Sequence, residues 1–92
     1  DERTQIQKKQ RAIASLRSEL FALFGEADRR KRGKELEGIL NRLFETYGIL
    51  VREAFTLTGS EGEGIIEQID GVVEMDGHLY FVEMKWWDTP LG

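Results

Sequence analysis

The sequence predicts an α/β fold: an amphipathic N-terminal helix, a second helix, then three strands. Three observations carry this. Apolar residues recur at three-and-four spacing as far as Tyr47, the period switches to two from Ile49, and Asp76-Gly77 marks a tight hairpin turn.

The first helix is expected from Thr4 to about Glu26, with Ile6, Ile13, Leu16, Leu20 and Leu23 on one stripe and Lys9 interrupting it. Phe21 and Phe24 widen that stripe. It packs on the rest of the chain or on a second copy, and residues 1–31 are read as an oligomerisation element. The run Arg29-Arg30-Lys31-Arg32-Gly33-Lys34 reads as a break. A second helix follows from Lys34 to Tyr47, with Leu36, Ile39, Leu40, Leu43 and Phe44 on one face and Gly48 as its stop.

Ile49, Val51 and Ala54 to Leu57 read as a strand bulged near Glu53. A glycine-rich connection, Gly59 to Gly64, carries Glu61 and Glu63 but no lysine, so it is a linker rather than a phosphate cradle. Ile65 to Met75 and His78 to Trp86 then form a hairpin around a two-residue turn of type I′. That turn sets the register. Met75 faces His78, Val73 faces Tyr80, Val72 faces Phe81, Asp70 faces Glu83 and Gln68 faces Lys85. Large apolar residues fall on both faces of this hairpin, so both faces are expected to be covered, which points to an α/β or mixed α/β layered fold and away from a one-sided meander.

Composition narrows the chemistry. Among 92 residues there is no cysteine and one histidine, His78 beside the turn, so thiolate sites and a His-Glu-x-x-His zinc helix are ruled out and no convincing Ser-His-Asp triad remains. No apolar run approaches the roughly 18 residues of a membrane span, and Asp1-Glu2-Arg3 is unlike a signal peptide, so the expected setting is cytoplasmic. The net charge is −4, but it is unevenly spread. Residues 1–52 hold twelve Lys/Arg against eight Asp/Glu, whereas residues 53–92 hold one lysine against nine acids. One half is suited to a polyanion and the other gathers carboxylates.

The register puts Asp70 and Glu83 opposite each other, with Cβ atoms about 4.5–5.5 Å apart, and Lys85 on the same face. Like charges so placed are destabilising unless something compensates them. A divalent cation does so most simply, and Mg²⁺ accepts a few carboxylate oxygens while keeping its waters. A lysine beside it suits phosphodiester hydrolysis.

Asp70, followed thirteen residues on by Glu83-Met84-Lys85, resembles the Asp…Glu-x-Lys signature of the PD-(D/E)xK nucleases, the restriction-endonuclease-like superfamily of Mrr and Holliday-junction-resolvase type. Gly33-Lys34-Glu35-Leu36-Glu37 resembles the G-x-x-(F/L)-E motif on that superfamily's first core helix. The resemblance spans about Gly33 to Trp87. It implies a partial α-β-β-β core over residues 32–92 and a Mg²⁺- or Mn²⁺-dependent endonuclease acting on DNA. By the same resemblance Asp70, Glu83, Glu37 and the Met84 carbonyl hold the metal, and Lys85 acts on the nucleophile or the developing charge. Ile69 stands where the superfamily's proline often does. In the superfamily a helix and a strand follow Glu-x-Lys, and Asp88-Thr89-Pro90 reads as the start of that helix. Trp86, Trp87 and Leu91 are then expected to find their cover in the missing layer or in a partner copy. Arg29, Arg30, Lys31, Arg32, Lys34 and Gln68 are the candidate DNA contacts, with a solvated helix junction as the alternative for the basic run. A homo-oligomer, formed by exchange of elements or a helical seam, and an inactive nuclease-like binding module are the competing expectations.

Overall fold

Asp1 starts the first helix, α1 (Glu2–Leu23), by accepting the Thr4 backbone N–H at 2.8 Å on its carboxylate. The computed structural model describes residues 1–59 and 65–87. The connection at 60–64 and the expected helix start at Asp88–Pro90 lie outside the described residues. Leu16 and Leu23 are the buried part of the α1 stripe, while residues 1–11 are exposed. Beyond Leu23 the helix tightens into i→i−3 bonds from Phe24, Gly25 and Glu26 to Phe21, Ala22 and Leu23, which is why helical spacing runs on to Glu26.

The second helix, α2 (Arg29–Thr46), begins five residues earlier than its apolar stripe indicates. The basic run is its first turn and not a break. Asp28 is the reason: in an extended conformation, it accepts N–H bonds from Arg30 and Lys31 at 3.0 and 3.2 Å and caps the helix ahead of the run. Leu36 and Ile39 are buried on the inner stripe. Gly48, at φ +72°, ends α2 as expected, with Gly48 N–H bonding the Glu45 carbonyl and Ile49 N–H the Phe44 carbonyl.

The helices are tied by a two-pronged pair, Arg42 Nη2 and Nη1 donating to Glu19 Oε1 and Oε2 at 2.7 and 2.9 Å. The hydrogen bonds from Arg42 hold the Glu19 carboxyl below the usual carboxylate range. A depressed carboxyl contributes its stability above its unfolded-state value and loses it as pH falls through the folded one. Glu19→Gln is therefore expected to flatten the acid side of the melting-temperature profile, by a small amount because the pair is exposed. Thermal melts of both proteins from neutral to acidic pH check this, and parallel profiles count against it.

Three antiparallel strands, β1 (Leu50–Gly59), β2 (Ile65–Met75) and β3 (His78–Trp87), form a meander in the order β1-β2-β3. The hairpin register is the expected one at every pair named above. Asp76 and Gly77, at φ 52° and 79°, supply the two left-handed positions of the turn. β1 slips register between Val51 and Glu53, as expected, and again between Glu53 and Thr56 and between Leu57 and Gly59.

Phe55, Ile69 and Val73 line the sheet face turned to the helices and join Leu16, Leu23, Leu36 and Ile39 in one core. The opposite face departs from expectation. Leu79 and Phe81 are 65% and 67% exposed there and Leu50 is exposed beside them. Among the described residues no helix crosses to that side, because α1 packs on α2 and not across the sheet. The fold is α/β with one helical layer.

Candidate functional site

Asp70, Glu83, Gln68 and Lys85 share the face opposite the core, because each alternates with an inward neighbour such as Ile69 or Met84. The residues flanking a two-residue turn form a hydrogen-bonded pair, and such pairs alternate with open ones along the ladder. Asp70 and Glu83 therefore meet at an open position, where side chains come closest. The same parity turns the Met84 carbonyl toward Ile69 on β2, away from the carboxylates. That departs from the carbonyl ligand which the resemblance implies.

Asp70 is half-buried and held by neighbours. Thr58 donates to its Oδ2 at 2.9 Å, and Gln68 Nε2 lies 3.4 Å from its Oδ1. Behind it the Phe55 ring presses on Gly71 so closely that an added Cβ there would fall 2.7 Å from a ring carbon. Glu83 is more open, and Lys85 Nζ stands 3.9 Å from its Oε2. The ammonium offsets part of the repulsion between the carboxylates and leaves oxygen lone pairs facing solvent. Thr58 was not among the residues singled out from the sequence. Strand alternation alone leaves its face undecided, since β1 slips register on both sides of it.

Glu37 is placed differently from its expected role. Its Oε2 accepts the Leu57 N–H, and its Oε1 is 3.5 Å from Lys34 Nζ. One helical turn on, Asn41 accepts the Phe55 N–H at 2.8 Å and donates to the Phe55 carbonyl at 3.2 Å. Together they pin the irregular stretch of β1 to α2, supplying partners that the slipped ladder does not. Among the described residues, no group of three or more Asp, Glu, His or Cys is arranged to hold a metal ion. What the face offers is two carboxylates. That set fits Mg²⁺, which is commonly held by one or two carboxylates and completed by water and phosphate oxygens.

The basic first turn divides. Arg29, Arg30, Lys31 and Lys34 are exposed, Lys31 with Glu26 at 3.7 Å. Arg32 is 8% exposed and cannot join a phosphate-gripping surface. Its Nη1 donates to the Glu26 carbonyl, and its guanidinium lies 5.2 Å from the centre of the Trp86 ring. This contact sets the start of α2 beside the end of β3, so the exposed cations and the Gln68/Lys85 end of the sheet lie far from the Asp76-Gly77 turn. His78, beside that turn, is exposed and distant from the carboxylates. No helix among the described residues is long and apolar enough to cross a membrane. Comparison with known protein families, with curated proteins and with solved structures gave no match.

Proposed function

We propose that the chain is a metal-dependent endonuclease acting on DNA phosphodiester bonds, with a partial restriction-endonuclease-like core. The observation that carries this reading is the direct opposition of Asp70 and Glu83 on an exposed sheet face, with Lys85 beside them. Asp70 and Glu83 would hold Mg²⁺ or Mn²⁺, which supplies Lewis-acid polarisation and an ionised water when bound. Thr58 and Gln68 fix the Asp70 carboxylate before any ligand arrives, so little side-chain ordering remains to be done. Lys85 has donors to spare for a phosphate oxygen or for charge developing on it. The exposed cations of α2 draw the polyanion to this end of the sheet. Glu37 and Asn41 support the site through β1 and not as ligands.

The test is cleavage of circular single-stranded DNA and of supercoiled plasmid with Mg²⁺ or Mn²⁺ and with EDTA, for the unaltered chain and for Asp70→Ala and Lys85→Ala. Cleavage that needs the metal and both side chains supports the reading. Equal cleavage in EDTA or in either variant overturns it.

The exposed Leu79 and Phe81 favour a second reading, an inactive nuclease-like module that self-associates through the open face. Light scattering separates the two. A dimer lost in Phe81→Glu, with no metal-dependent cleavage, supports the module.

A further inference from the structure

Around the end of β3 runs a line of aromatic side chains, of which Phe21 and Phe24 stand outside the core and Trp86 packs partly against it. Phe21 and Phe24 are 59% and 71% exposed, at the end of α1 where Leu16 and Leu23 do the burying. Their ring centres are 6.4 Å apart, and Phe24 is 5.1 Å from the Trp86 ring at an interplanar angle of 42°. A guanidinium closes each end: Arg17 lies 5.7 Å from the centre of Phe21, and Arg32 lies 5.2 Å from that of Trp86. Single exposed apolar residues are ordinary on a protein surface, but a contiguous aromatic row ended by cations is a different object.

We propose that this row is a stacking platform for unpaired bases, and that the substrate of the neighbouring site is single-stranded nucleic acid. The inference rests on reading the Asp70/Glu83 face as a phosphodiester site. Base–aromatic stacking needs a ring face that a base can cover, which the exposed Phe21 and Phe24 offer, together with positive charge to track the backbone, which comes from the exposed Arg17, Arg29, Arg30 and Lys34, while buried Arg32 packs on Trp86. A duplex keeps its bases stacked on one another and offers the rings nothing. Position joins the row to the carboxylates. Among the described residues β3 is an edge strand, Trp86 projects to its helical side, and Lys85, one residue earlier, projects to the other. A strand that stacks on Phe24 and Trp86 and passes round the free edge of β3 reaches Lys85 and Glu83 within a few nucleotides.

The experiment measures binding in EDTA, so that no cleavage intervenes. Labelled oligo(dT) of about 20 nucleotides is compared with a duplex of equal length, following Trp86 fluorescence in a Trp87→Phe background. The expected result is preference for oligo(dT), quenching of Trp86, and an affinity about tenfold lower in Phe24→Ala but retained in Phe24→Tyr. Phe21→Ala acts in the same direction, and neither truncation changes the salt slope, because no cation is removed. Equal or tighter duplex binding overturns the proposal, as does absence of oligo(dT) binding. So does unchanged affinity in both phenylalanine variants with helical circular dichroism intact. A dimer that dissociates in Phe24→Ala, with oligo(dT) affinity unchanged, assigns the row to a second copy and also overturns it. The two readings fail separately. Phenylalanine-dependent binding without metal-dependent cleavage removes only the endonuclease, and cleavage indifferent to Phe21 and Phe24 removes only the platform.

Discussion

Truncating Phe55 to alanine is expected to remove about 3–5 kcal/mol of folding stability, the largest effect of any single core change here. The ring is 1% exposed, stacks on Phe44 at 5.0 Å and 16°, and covers the backbone of Gly71. Its own backbone is fixed by Asn41, so the strand cannot settle inward to fill the space. A domain of this size holds about 5–15 kcal/mol in all, and each kilocalorie moves its melting temperature by about 4–8 °C. The melt should therefore fall by tens of degrees. Gly71→Ala probes the same contact from the other side. A methyl group placed 2.7 Å from a ring carbon must displace the ring, at a cost of about 1–3 kcal/mol. If the two act through one contact, Phe55→Leu should soften the effect of Gly71→Ala, giving a positive coupling in a double-mutant cycle. Thermal denaturation by circular dichroism measures Phe55→Ala and the four proteins of the cycle. Strict additivity shows that the ring and the glycine do not constrain each other.

Where structure follows from a local rule, the sequence was enough to read it. The Asp76-Gly77 turn admits one register, and from it come the Asp70–Glu83 and Gln68–Lys85 pairs. Gly48 likewise ends α2 through a local motif. One local signal, the Asp28 cap, was outweighed in the sequence by the charge and glycine beside it, and the rest depends on contacts between distant segments. The Asp28 cap outweighs the charge and glycine of the basic run, which is why α2 starts at Arg29. Arg32 is buried because Trp86, more than fifty residues away, lies beneath it. The carboxylate of Glu37 goes to an amide that β1 exposes only because it slips register. A motif places a glutamate on a helix, and the neighbouring strand decides what that glutamate touches. The uncovered outer face has the same origin. Alternation shows that Val72 and Phe81 are apolar, but where α1 goes decides whether anything covers them.

Asp70→Asn is expected to separate the two effects of this carboxylate. Asparagine keeps the shape and an acceptor oxygen for Gln68 and gives Thr58 a donor in place of an acceptor, so the local hydrogen bonds survive. Removing one of two directly opposed negative charges should stabilise the metal-free domain by about 0.2–1 kcal/mol. A ligand at a hundredfold excess over its dissociation constant stabilises the folded state by about 2.7 kcal/mol, or about 10–20 °C in a domain this small. The unaltered chain should show that rise with saturating Mg²⁺, and Asp70→Asn should lose it. Thr58→Val keeps the charge but frees the carboxylate to rotate, and is expected to weaken metal affinity about 10–100-fold without the gain in metal-free stability. Cleavage should fall further than binding, because a loss of about 4 kcal/mol of transition-state charge stabilisation is about a thousandfold in rate. Melting curves with and without Mg²⁺ decide the matter ahead of any activity assay. An equal metal-induced rise in Asp70→Asn places the ion elsewhere and leaves Asp70 and Glu83 as opposed charges offset only by Lys85.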